Sequence, residues 1–112
     1  MLRVIIESPY GADSEHVLAR NIAYAKAAMR DSLARGEAPL ASHLLYTQAD
    51  ILDDRDPAQR AQGIEAGLTW AESADVTVVY TDLGLTAGMN HGINDASSAG
   101  RRIIYRSIPG WS

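Results

Sequence analysis

The residues best suited to chemistry fall in one stretch, Thr81–Ala96, TDLGLTAGMNHGINDA, which holds two carboxylates, a histidine, two asparagines and three glycines. It follows an apolar run, DVTVVY, so it reads as a strand that turns into a helix. Thr86 can cap that helix with its hydroxyl while other N–H groups of the first turn stay free. Gly88 carries no side chain, so a phosphate or carboxylate can approach the positive helix end. An ordinary capped helix with a glycine packed on the sheet is the plainer alternative. Asn90, a neutral amide, stands where a catalyst would gain more from a carboxylate. His91 and Asp95 are spaced i, i+4 and can meet on the helix surface, as a solvated contact or as part of a site. Neither GxGxxG nor GxxxxGK[ST] occurs, so a dinucleotide fingerprint or P-loop is not supported.

Other groups come earlier. Glu7–Gly11, ESPYG, supplies Ser8 as a hydroxyl, Tyr10 as a stacking ring and Gly11 for close backbone approach, or is simply the turn of a βα unit. His43 follows an apparent strand start, which suits a buried histidine bonded to backbone as well as a ligand contact. His16 decorates a helix start. The three histidines show no HxxxH or HxH spacing and there is no cysteine, so neither a metal site nor a cofactor is expected. DILDDRD carries four aspartates but lacks the glycine turn and terminal glutamate of a calcium loop. It reads as a solvated loop, with a lid over a ligand as the alternative. Gly63 and Gly67 leave a smooth strip on one helix, at a cost of about 1 kcal/mol each against alanine. Such a strip admits a ligand, or a partner helix across a dimer interface with Trp70 and Trp111 as anchors.

The elements that must position these residues alternate. Leu2–Ile6 reads as a buried strand, and Asp13 or Ser14 caps a helix with apolar residues at Leu18, Ile22, Ala25, Met29 and Leu33. APLASHLLY is the second strand, which puts His43 on the face opposite Ser42 and Leu44. Asp56-Pro57 starts a second helix with the stripe Ala61, Ile64, Leu68 and Ala71. DVTVVY is the third strand, a helix with the stripe Met89, Ile93 and Ala96 runs to Gly100, RRIIYRSI is the fourth strand, and PGWS is the tail. This order predicts one α/β domain over residues 1–112, with four parallel strands ordered 2-1-3-4 and helices on both faces. Ligands in such sheets bind beyond the carboxyl ends of the strands at the switch point, here between the first and third.

A net charge of −4 argues against nucleic acid or an anionic membrane as partner. The chain begins directly in a strand pattern and has no run long enough to span a bilayer, so a cytoplasmic protein is expected.

The pattern ASHL, GLTWAESADVTVVYTD and GMNHGINDASSAGRRIIY resembles the nucleoside 2-deoxyribosyltransferases and the deoxynucleoside 5′-monophosphate N-glycosidases. It is most similar to a branch of small, often phage-encoded members. The resemblance runs from Pro39 to Arg106, with IIESPYG at the family's first substrate loop. It implies a Rossmann-like, flavodoxin-type three-layer sandwich that forms a homodimer, here through the second helix, and binds a nucleoside or nucleotide. The implied binding set is Ser8, Pro9, Tyr10, Gly11, His43, Asp82, Thr86, Gly88, Met89 and Asn90. The family's glutamate nucleophile falls on Asn90 and its second acid on Gly67, so both carboxylates are replaced. A neutral amide neither attacks nor stabilises an oxocarbenium-like carbon well. A nucleotide-binding sensor or sequestering protein is therefore expected. The alternatives are a divergent N-glycosidase or deoxyribosyltransferase with Asp82 and Asn90 as catalytic residues, and an interaction subunit with a vestigial pocket.

Overall fold

The computed structural model describes residues 1–111; Ser112, the end of the expected tail, lies outside the described residues. Strand β1 (Arg3–Glu7) has alternating side chains, Val4 and Ile6 on one face and Ile5 and Glu7 on the other. With β2 (Ala38–Leu40), β3 (Val76–Tyr80) and β4 (Arg102–Arg106) it forms a four-stranded parallel sheet in the order β2-β1-β3-β4. That is the order expected from the alternating pattern, and the switch point lies between β1 and β3.

The two faces differ in chemistry. Val4, Ile6, Val76, Val78 and Tyr80 join Tyr24, Ala28 and Ala41 in the main apolar core. Helix α1 (Glu15–Ala34) covers this face, started by Ser14, whose Oγ accepts the Val17 N–H at 3.2 Å. Its buried side is Asn21, Tyr24, Ala25, Ala27, Ala28 and Ser32, displaced from the expected stripe; Leu33 is 59% exposed. Alanines let the helix lie close on the sheet, where a row of leucines would hold it away. The opposite face presents Ile5, Glu7 and Thr77 to α3 (Pro57–Ala71) and α4 (Ala87–Ser98). Asp56 caps α3 by accepting the Ala58 N–H at 3.4 Å, and Thr86 caps α4 by accepting the Met89 N–H at 3.2 Å. One face is thus dry and the other mixed, which leaves the second as the place for chemistry.

The expected second strand is much shorter than APLASHLLY. Only Ala38–Leu40 pairs with Arg3–Ile5, and the chain then leaves the sheet to form a single helical turn, α2 (Ser42–Leu45). His43 is therefore helical, correcting its placement on a strand. The turn closes with the Leu45 N–H on the Ala41 carbonyl at 3.0 Å, and it lets Leu44 pack against the main core. On its β2 side, β1 is left without a strand beside Ile6 and Glu7, which pair only with β3.

The end of β4 is tied back across the sheet. Arg106 donates to both oxygens of Glu37 at 2.9 and 3.0 Å, and the Ser32 hydroxyl adds a third bond at 2.7 Å. The Arg106 bonds hold the Glu37 carboxyl below the usual carboxylate range. Among the described residues no helix is long and apolar enough to cross a membrane. Replacing Glu37 by Ala strands the buried Arg106 cation and is expected to lower the unfolding free energy by about 2 kcal/mol, between an exposed and a fully buried pair. Urea denaturation measures this; a loss below about 0.5 kcal/mol would mean that solvent already screens the pair.

Candidate functional site

A cavity opens over the sheet at the carboxyl end of β1, with Ile5, Glu7 and Thr77 beneath it and residues of α2, α3 and α4 around it. Its back is closed by Arg101, whose side chain is only 7% exposed. Arg101 donates Nε–H to Thr77 Oγ1 at 3.0 Å, one Nη to the Ala71 carbonyl at 2.9 Å and the other to Asp95 Oδ2 at 2.9 Å. One guanidinium therefore joins the end of α3, the start of β3 and the end of α4.

Glu7 lies in front of this cluster. Its carboxyl occupies the space that a Cβ on Gly92 would need, so a side chain there would displace the Glu7 carboxyl. Among the described residues nothing hydrogen-bonds to that carboxyl. Arg101 is close enough to favour its ionised form, but it is already paired with Asp95, which opposes ionisation. Burial outweighs both and pushes the Glu7 carboxyl up to about 8. At neutral pH the cavity therefore holds a protonated, hydrogen-bond-donating acid.

Beside it, Ser8 Oγ and His43 Nε2 stand 2.8 Å apart, and the Tyr10 ring meets the imidazole edge-on at 6.1 Å. Burial pushes His43 down to about 4, so the ring is neutral at pH 7. With its proton on Nδ1 it accepts from the Ser8 hydroxyl. A neutral acid and a neutral base thus share one cavity, the pattern by which paired environments assign acid and base roles.

The rim carries positive character. The Arg60 guanidinium passes 3.3 Å from where a Cβ on Gly11 would stand, a tight approach that glycine eases, and 3.8 Å from that of Gly88, an ordinary contact. It lies 3.9 Å from Asp54, a loose contact. The Ala87 and Gly88 N–H groups at the start of α4 have no partner among the described residues. A fixed cation beside a helix N-terminus suits an anionic group of a ligand.

Ser8, Tyr10, Gly11, His43, Thr86, Gly88 and Met89 of the expected set come together around this cavity. Pro9, Asp82 and Asn90 are not among its lining residues. Asp82 accepts from the Tyr24 hydroxyl at 2.6 Å and from the Ile108 N–H at 2.9 Å, while its own N–H donates to Tyr24 at 2.8 Å. It braces α1 against the C-terminal segment. Asn90 lies on the exposed side of α4, because Gly88, His91, Gly92 and Asp95 form the cavity-facing stripe and Asn90 sits about 200° round from Gly88. At Gly67 an added Cβ would collide with the Ser42 side chain, so a larger residue there requires Ser42 to move. The glycine strip of α3, expected to admit a ligand or a partner helix, lines the cavity, with Gly67 beside Ser42 and Gly63 beside Leu52. Of the expected α3 stripe, Ala61 is exposed and Ile64, Leu68 and Ala71 line the cavity. Asp95 pairs with Arg101 rather than with His91. Trp70 is 56% exposed and donates to the Tyr46 hydroxyl at 2.7 Å, while Trp111 packs edge-on against Tyr24 at 4.9 Å.

Sequence reasoning passed over Glu7, Arg101 and Arg60. For Glu7 the signal was present: in RVIIE the acid shares the parity of Ile5, so it points to an inner face of the sheet.

The chain belongs to the family described as Domain of unknown function (DUF7768), whose pattern matches residues 2–106. No curated protein matches it in sequence. Two solved structures share its fold. One is a 2-deoxyribosyltransferase from Bacillus psychrosaccharolyticus, at TM-score 0.63 and 15% identity over 98% of this chain and 75% of that one. The other is the CMP N-glycosidase BcmB of Clostridium botulinum, at TM-score 0.54 and 12% identity over 94% of this chain and 71% of that one.

The raised Glu7 carboxyl has a measurable consequence for stability. Its folded value of about 8 exceeds its unfolded value of 4.5, so its contribution is fully present below pH 4.5 and is lost as pH rises through 8. Glu7→Gln removes that loss. The variant is expected to gain on the wild type by about 5 kcal/mol between acid and pH 9, at ~1.4 kcal/mol per unit of displacement. Denaturant melts across this range read the difference; a gap that stays constant with pH would show that Glu7 ionises normally.

Proposed function

From this family membership and this shared fold, we propose that the chain binds a nucleoside or nucleotide in the cavity at the switch point. The observation that carries the reading is the cavity itself. It places a donor carboxyl, a hydroxyl–imidazole pair and a stacking ring within one recess, and a cation with two free backbone N–H groups at its rim. In this reading Tyr10 and His43 meet the base, Ser8 and Glu7 meet polar edges of the base or sugar, and Arg60 with the start of α4 receives an anionic group.

Cleavage or exchange of the N-glycosidic bond is the second reading, and Glu7 favours it. Asn90 lies off the cavity, so its neutrality does not argue for a binder without chemistry. A homodimer remains part of the proposal, but on a different surface. With the glycine strip facing the cavity, α3 offers the exposed Trp70 to a second copy, and measuring native mass against concentration checks this.

Equilibrium dialysis of the chain against nucleosides and their 5′-monophosphates, read by mass spectrometry, tests the binding. Arg60→Ala is expected to weaken retention of a monophosphate about 10–100-fold, the size of a lost charged hydrogen bond, and to leave the parent nucleoside nearly unaffected. Asp82→Asn is expected to lower stability and leave affinity unchanged. Equal weakening of nucleoside and monophosphate by Arg60→Ala would remove the phosphate from the reading; retention of no compound would remove the reading altogether.

A further inference from the structure

We propose that Asp54 sets the charge selectivity of this cavity: it holds one side of the Arg60 guanidinium and so limits how far the rim prefers a 5′-monophosphate over its parent nucleoside. This rests on the reading of the cavity as a nucleoside or nucleotide site.

Three elements meet at the rim. A Cβ on Gly11, in the loop after β1, would stand 3.3 Å from Arg60 Nη1 and 3.7 Å from Asp54 Oδ2. One on Gly88, in the first turn of α4, would stand 3.8 Å from Arg60 Nη2. The guanidinium therefore lies between the acidic loop and the start of α4, with one nitrogen toward each. An anion seated at the α4 N–H groups meets Nη2, while Asp54 stays on the side of Nη1. The two negative charges then face each other across a single guanidinium, close enough to repel through partly solvated space.

Asp54 is the acid of its loop placed to act in this way. Of the four aspartates in DILDDRD, it alone lines the cavity. Asp53 accepts from the Arg55 N–H at 3.0 Å and from its Nε–H at 3.1 Å. Asp56 caps α3 and accepts from Gln59 Nε2 at 2.9 Å. Asp50 is exposed. Among the described residues the Asp54 carboxylate accepts no hydrogen bond, and its one ion-pair partner is Arg60, at 3.9 Å.

The backbone just before Asp54 is pinned. The Leu52 N–H donates to the Tyr46 carbonyl at 3.1 Å, and the Leu52 side chain lies 3.2 Å from where a Cβ on Gly63 would stand. The Asp53 N–H donates to Gln59 Oε1 at 2.8 Å. These bonds keep the carboxylate beside Arg60. Arg60 itself is uncommitted: unlike Arg101, its guanidinium makes no hydrogen bond among the described residues. Its planar fork of donors suits a phosphate. With side chains 47% and 27% exposed, the Arg60–Asp54 pair is screened by water and weak enough for a phosphate to bind against it. Asp54 therefore tempers the attraction of the rim for phosphate and does not abolish it.

The test dialyses the full chain against the common ribo- and deoxyribonucleosides and their 5′-monophosphates at about pH 7.5, where the phosphate carries close to two negative charges. Mass spectrometry reads intact compound, and each monophosphate is compared with its own nucleoside. Asp54→Asn is expected to raise retention of a monophosphate about 3–10-fold and to leave the nucleoside within about twofold. The gain is expected to shrink in about 1 M salt, where the screening length falls to about 3 Å. Monophosphate retention that does not rise, or a gain that salt does not reduce, overturns the role of Asp54 and leaves the binding reading standing. Equal weakening of nucleoside and monophosphate also overturns it, because Asp54 would then be accepting bonds from the sugar or base. Retention of no compound by either chain overturns both. Asp54→Ser removes the same charge and is expected to give the same gain, so one variant that fails to fold does not shield the proposal.

Discussion

The cavity half of the molecule is organised by one buried guanidinium that is bonded to one acid and lies near a second. Arg101 bonds to the end of α3, to Thr77 on β3 and to Asp95 on α4, and so fixes the two helices over the sheet. A buried cation of this kind must be fully bonded to be tolerated. Its bonds go to Asp95 and to two neutral oxygens, and Glu7 is left in the same low-dielectric space without a counter-charge of its own. The remaining acid then takes up a proton instead of ionising. An ion pair that ties helices to the sheet thereby also sets the protonation state of the group facing the cavity.

Glycine placement follows from the same constraint. Gly92 gives Glu7 its room, Gly67 lets α3 approach Ser42, and Gly11 lets Arg60 lie across the rim. Each helix glycine forgoes some helix propensity. In return the helices close around polar side chains that a larger residue would displace. Gly84 serves the backbone instead. At φ 81° it adopts the left-handed conformation of the turn before α4, which side chains other than glycine seldom accept.

Much of this was legible in the sequence. The βα alternation gave the strand order, and Ser14, Asp56-Pro57 and Thr86 announced their helices because capping is local chemistry. The rim loops were legible for the same reason, since the switch point follows from strand order alone. What was not legible depended on contacts distant in sequence. β2 ends at Leu40 because the chain there packs Leu44 on the core, and no local pattern separates that from a longer strand. Asp82 looked available for chemistry until Tyr24, fifty-eight residues away, was seen to hold it. Asn90 drew attention through a linear motif, whereas the cavity is set by which stripe of α4 faces the sheet. Glu7 was overlooked because an acid after an apolar run resembles the start of a loop; its parity with Ile5 was the available clue.

The central claim is that the cavity holds a neutral acid at physiological pH. The most direct measurement is an NMR titration of the Glu7 side-chain carboxyl, labelled with 13C and assigned by its loss in Glu7→Gln. A midpoint near 8 is expected, moving down when Asp95→Asn frees the Arg101 charge to act on Glu7 alone. A midpoint near the ordinary 4.5 would contradict the account, because the acid would then be ionised and solvated and the cavity would have no proton to give.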